Sequence, residues 1–174
     1  MRNFKSNHKE TMTDSTSSTF TVPIDTADLD RARQFGSQYP SDKAEQVYHN
    51  TLAVLAVDSF LRGLEIETAL AASESQDTVY QVLMDVSDLE ISDLGKLECR
   101  PVLPQADVVS IPPEVWTERI GYVAVQLDLN LWQEATLLGF TTEVTESGEV
   151  PIAQLQAIGQ LPAHIQQIRQ TKLS

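Results

Sequence analysis

Apolar residues follow one rhythm in the first half of this chain and another after about Val86, where helical spacing gives way to alternation. From Asp42 to about Leu64, the residues Val47, Val54, Leu61 and Leu64 fall on one helical face and Ala44, Tyr48, Leu52 and Leu55 on its neighbour, which predicts a long core helix. Leu52–Val57 is apolar nearly all round and should be covered on more than one side, leaving Thr51, Asp58, Arg62 and Glu65 as a solvent stripe. Asp58 and Arg62 would then form an exposed i, i+4 pair. Upstream, Phe20–Ile24 reads as extended chain, Asp25 and Asp28 as a helix start, and Leu29, Ala32 and Phe35 as one face of that helix. Gly36 ends it, and Pro40 followed by a capping Ser41 begins the long helix. After the polar run Ser73–Asp77, the spacing of Val79, Val82, Leu83 and Val86 suits a short helix, with a strand as the alternative.

Alternation dominates from Gly95 to Val144. Leu97, Cys99 and Leu103 alternate with Glu98, Arg100 and Val102, so a half-buried strand is expected with Cys99 facing inward; Pro101 lacks an N–H and places that strand at an edge or a bulge. Asp107–Ile111 is a second strand, Pro112-Pro113-Glu114 a turn leading through Trp116 to Arg119, Ile120–Asp128 a third strand and Glu134–Val144 a fourth. Short loops between consecutive strands predict an antiparallel meander. Pro151 should open a short helix through Leu155 and Ile158, interrupted at Gly159 and Pro162. The expected fold is α+β: N-terminal helices packed on a small antiparallel sheet or SH3-like partial barrel, with a short C-terminal helix. The expected division is a tail over 1–19, a single domain over 20–162 and a frayed helix over 163–174.

Composition narrows the function classes. The segment Thr11–Thr19 is mostly Thr and Ser and cannot bury enough surface to offset its ordering, and Met12 is an alternative start. The 25 acidic against 12 basic side chains give a net charge of −13, which disfavours direct contact with nucleic acid and favours a basic protein surface as partner. A single cysteine, Cys99, forbids an internal disulfide and a zinc site built on several thiolates. No run approaches the roughly 18 apolar residues of a membrane span, and no apolar secretory core stands at the N-terminus. The expected location is cytoplasmic, away from membranes.

Candidate chemistry is sparse. His8, His49 and His164 have no second ligand at metal spacing, the glycines form no phosphate loop, and no cofactor is expected. The alternation buries Cys99, which makes it a structural thiol. Carboxylates gather at Asp85, Asp88, Glu90, Asp93 and Glu98, with Arg100 two residues after Glu98. That spacing offers the alternative of a divalent-metal phosphodiesterase or nuclease-like hydrolase centred on Asp88 and Glu98, although its usual Lys is here Arg100. A solvated turn before a strand accounts for the same residues. Leu129, Leu131 and Trp132 fill a hairpin loop, with Trp116 after the Pro-Pro turn; these four either cap the core or form a partner-binding patch.

FTVPI at Phe20–Ile24, QVYHNTLAVLAV at Gln46–Val57, GLEIETAL at Gly63–Leu70, LGKLECRPVLP at Leu94–Pro104, IPPEVW, RIGYVAVQLD at Arg119–Asp128 and EATLLGF at Glu134–Phe140 together resemble the cyanobacterial family of unknown function DUF1822. The resemblance runs from Phe20 to about Leu161 and implies no activity and no site residues. It implies a regulatory or signalling setting, through genes near sigma factors and CHAT or CHASE2 proteins. The expected function is therefore a non-enzymatic protein-interaction module in a regulatory complex.

Overall fold

The computed structural model describes residues 18–130 and 133–174. Its elements in chain order are β1 (Phe20–Pro23), α1 (Thr26–Gly36), α2 (Ser41–Gly63), α3 (Thr78–Leu83), β2 (Asp88–Ile91), β3 (Gly95–Val102), β4 (Val108–Ser110), β5 (Arg119–Asp128), β6 (Glu134–Thr141), β7 (Glu149–Pro151) and α4 (Leu161–Leu173), with short 3-10 turns between several of them.

The first helix starts where its sequence asks it to: the Asp25 carboxylate accepts the Asp28 N–H at 2.8 Å. Gly36 closes it against the next helix, and a Cβ there would stand 2.8 Å from the Ala44 carbonyl oxygen, so the two helices meet through a missing side chain. The N-cap of α2 is Pro40, with Ser41 already inside the first turn, so the capping role expected of Ser41 is not realised. Every residue of α2 from Asn50 to Asp58 is buried. Its expected solvent stripe is correspondingly narrower. Thr51 turns inward and returns its hydroxyl to the Val47 carbonyl, and Asp58 is buried with Thr68 Oγ1 donating to it, leaving Arg62 outside at 3.6 Å from the same carboxylate.

Five strands form one mixed sheet in the order β1-β6-β5-β3-β2, and β4 pairs with β7 in a separate small sheet. The antiparallel meander expected from the short loops is corrected at one seam: β3 and β5 run parallel, Cys99 opposite Val123 and Val102 opposite Gln126. A parallel pair needs a long crossover to bring the chain back to the same end. Residues 103–118 supply it, and the segment read as a second meander strand leaves the sheet to pair with Glu149–Pro151. Pro101 sits where its missing N–H costs nothing. Cys99 donates to the Ser87 carbonyl beyond the start of β2, and two residues further on β2 offers no partner.

Alternation along β3 and β5 sorts side chains onto two faces, and both are covered. Leu97, Cys99, Val123, Val125 and Leu127 join Leu52, Ala53, Val54, Ala56 and Val57 of α2, Val22 of β1 and Leu161 and Ile165 of α4 in the main core. On the opposite face Val102, Tyr122 and Ala124 meet Val109, Ile111, Val115 and Val150 in a second, smaller core. Leu103, expected beside Cys99, lies past the end of β3 and is 68% exposed. Gly139 adopts φ +145° at the register shift between β5 and β6, where a Cβ would stand 2.5 Å from the Gln156 carbonyl oxygen. The helix expected from Pro151 does not form; Pro151 ends β7, and Pro162 opens α4 instead of interrupting a helix.

Candidate functional site

Of the carboxylates singled out in the sequence, Asp88 and Glu98 do meet, on the second face of the sheet. Asp88 of β2 and Glu98 of β3 are directly opposed across an antiparallel pair, and both are fully buried. Each is filled by donors of the chain itself. The Asp88 carboxylate accepts the backbone N–H groups of Glu74 at 3.0 Å and Ser75 at 2.7 Å, while its carbonyl accepts the Ser75 hydroxyl. Glu98 Oε1 accepts the Ser87 N–H, the Ser87 hydroxyl and Arg100, and Oε2 accepts Arg119 Nε at 2.8 Å. Arg100 extends the network to the Asp85 carboxylate at 2.9 Å, and Arg119 extends it to Glu74 at 3.7 Å, which also holds Lys96.

Titration follows this environment. Burial raises the Asp88 carboxyl above its ordinary value, against the pull of the two N–H donors and Arg119. Burial opposes the charge of Arg119, and Glu98, Asp88 and Glu74 outweigh it, so its pKa is raised. One polar atom in the cluster, Arg100 Nε, is buried with no partner. Asp93 is exposed and Glu90 half-buried, away from this network's hydrogen bonds. Among the described residues no group of three or more His, Cys, Asp or Glu side chains is arranged to hold a metal ion. The arrangement fixes backbone: it ties Glu74 and Ser75 across the outer edge of β2, where Ser73 Oγ also accepts the Glu90 N–H, and so seals an edge that would otherwise be free to pair.

The residues proposed for partner binding are distributed differently. Trp116 is half-buried beside the second core; its indole donates to the Ile111 carbonyl at 2.7 Å, and its ring lies 3.0 Å from where a Cβ on Gly148 would be. Leu129 packs at the margin of the main core and lines a groove of about 290 Å³ with Glu45, His49, Pro101, Leu103 and Leu127. Leu131 and Trp132 lie outside the described residues, as do His8 and Met12. His164 is within hydrogen-bond distance of the Ile120 carbonyl at 2.8 Å, and Cys99 is fully buried with its thiol pushed well up by burial.

The feature that pattern reading missed is the orientation of α3. Val79, Val82 and Leu83 are 62%, 59% and 74% exposed, whereas Gln81 is buried. Gln81 Nε2 donates to the Ser75 carbonyl and its Oε1 accepts the Tyr39 hydroxyl, Tyr39 also reaches the Thr78 carbonyl, and Asp77 caps the first turn by accepting the Val79 N–H. This short helix is inside out, held by polar groups with its apolar stripe facing solvent. The one signal for it in the sequence is Gln81, a polar residue interrupting a run of large apolar ones.

No helix among the described residues is long and apolar enough to cross a membrane. No curated protein and no solved structure matches this chain. The family described as a protein of unknown function, DUF1822, matches residues 22–171, and the chain belongs to that family.

Proposed function

We propose that this protein is a non-enzymatic interaction module that holds a partner protein in a regulatory complex through the exposed face of α3. The carrying observation is the inversion of that helix, which buries Gln81 and leaves Val79, Val82 and Leu83 in water. Large apolar side chains gathered in one stripe lose free energy in solvent that a partner's surface would return. Burying any one of them is worth on the order of 1.5–3 kcal/mol. Trp116 and Leu129, each half-buried against one of the protein's own cores, remain secondary candidates for contact with a partner. The alternative of a divalent-metal hydrolase would draw on Asp88 and Glu98, whose oxygens would first have to release Ser75, Ser87, Arg100 and Arg119.

A benzophenone amino acid placed at position 82 in cells tests the first reading. A discrete cross-linked protein at position 82, with none from the same group at exposed Asp30, is the expected result; equal labelling at both sites, or none at either, removes it. For the alternative, Mg²⁺ or Mn²⁺ would raise the melting temperature of the native chain and leave Asp88→Asn unmoved.

A further inference from the structure

From the charges that frame the same stripe we infer that the partner presents a basic amphipathic helix, apolar residues at helical spacing bordered by Lys and Arg. This inference rests on the interaction reading above and adds the chemistry of the occupant. Val79, Val82 and Leu83 stand at i, i+3 and i+4, so they form one short ridge of the kind that packs along another helix. Carboxylates stand at both ends of the ridge. At its start are Asp77, the helix cap, and Glu74; at its end are Asp85 and Glu114, joined by the Asp85 N–H donating to Glu114 Oε1 at 3.1 Å.

The cations nearby are mostly engaged already. Lys96 is bound to Glu74, and Arg100 is buried between Asp85 and Glu98. Lys43 donates to the Met84 carbonyl and to Gln46, and burial lowers its pKa while Asp85 and Glu114 oppose that effect. Asp77 and Glu114 form no ion pair among the described residues. An open depression beside Tyr80, lined by Glu74, Asp77 and Lys96, gives long side chains from a partner access to Asp77, and Glu114 is itself exposed at the other end.

The same charges argue against a second copy of this chain. A symmetric pair would bring two surfaces of net charge −13 together and set Asp77 and Glu114 of one copy against acidic groups of the other. A cationic partner gains from both terms: steering over the whole surface, then pairing at the two ends of the ridge.

The test uses the full chain and two labelled peptides of about 18 residues, one of Leu at helical spacing with Lys elsewhere, the other with Glu in place of Lys. Fluorescence anisotropy should give binding of the Leu/Lys peptide that weakens about tenfold or more in about 0.5 M NaCl. The double variant Val82→Ser with Leu83→Ser should bind it about tenfold or more weakly than the native chain, and Leu173→Ser, exposed elsewhere, should bind it normally. The Leu/Glu peptide should bind about tenfold or more weakly than the Leu/Lys peptide. Unchanged binding by the double variant, salt-insensitive binding or equal binding of the two peptides would overturn the inference. A dimer seen by light scattering and abolished by the double variant would assign the ridge to a second copy instead. If the position-82 cross-link persists while the Leu/Lys peptide fails to bind, the interaction reading stands and the basic helix falls.

Discussion

Glu98 holds four donors while buried on a strand that pattern alone would turn to water. Removing its charge leaves Arg100 and Arg119 in a site they cannot leave, so Glu98→Gln should destabilise the fold by about 3–5 kcal/mol. Chemical denaturation of both proteins would check this, and a loss under about 1 kcal/mol would mean the pair behaves as an exposed one. His49 supplies a prediction in pH. Burial lowers its pKa from the ordinary 6.5, with Glu45 opposing, so in the acid range the unfolded chain binds a proton that the folded one resists. Stability from this residue is therefore full above about pH 6.5 and falls as pH drops toward the lower folded value. His49→Gln should flatten that decline in denaturation curves, and an NMR titration of His49 should give a midpoint below 6.5. The sequence made Cys99 legible as an inward structural thiol because its neighbours alternate cleanly. It left Asp88 and Glu98 ambiguous because a carboxylate that binds metal and one that caps backbone are the same letter. Only the donors around them, brought in from Glu74, Ser75, Ser87 and Arg119, decide which role each plays.

At the scale of elements, helical period identified α1 and α2 and the alternation identified β3, β5 and β6, since each buries a face that its spacing marks. Period names a face without saying which way it points. In α2 both faces are buried, because α1 and the sheet enclose it, and in α3 the apolar stripe points outward because polar anchors hold the opposite side. Gln81→Ala should therefore cost about 1–3 kcal/mol, the range for leaving buried partners unsatisfied, even though it removes a polar residue from an apolar neighbourhood. Hydrogen exchange should then speed at the α3 amides before those of α2. Unchanged exchange there would mean the helix is held by something other than Gln81 and Tyr39. The parallel seam was illegible for a related reason: Val108–Ser110 looks like a strand of the meander, and nothing local reveals that its partner is Glu149–Pro151. Asp88–Ile91 carries no clear strand signature, because two of its four residues are acidic.

For the whole molecule, the excess of 13 negative charges means that the folded surface repels itself. Salt screens exposed charges over about 10 Å at 0.1 M and screens buried pairs far less. Raising NaCl from about 0.02 to about 0.3 M should thus raise the melting temperature, since the surface repulsion fades while the Glu98 network survives. A fall would place the balance of stability in exposed ion pairs. The pairing of distant segments also sets a timetable. Phe20–Pro23 waits for Glu134–Thr141, β3 waits for β5, and the main core closes only when Leu161 and Ile165 arrive near the end of the chain. On the ribosome, the helix Ser41–Gly63 can lie against α1 as soon as it is made, but its sheet-facing side stays open until β3, β5 and β6 have followed. A chain ended at Ala157 should accordingly collect in the insoluble fraction, and one that runs through α4 should lean on chaperones during translation in proportion to that wait.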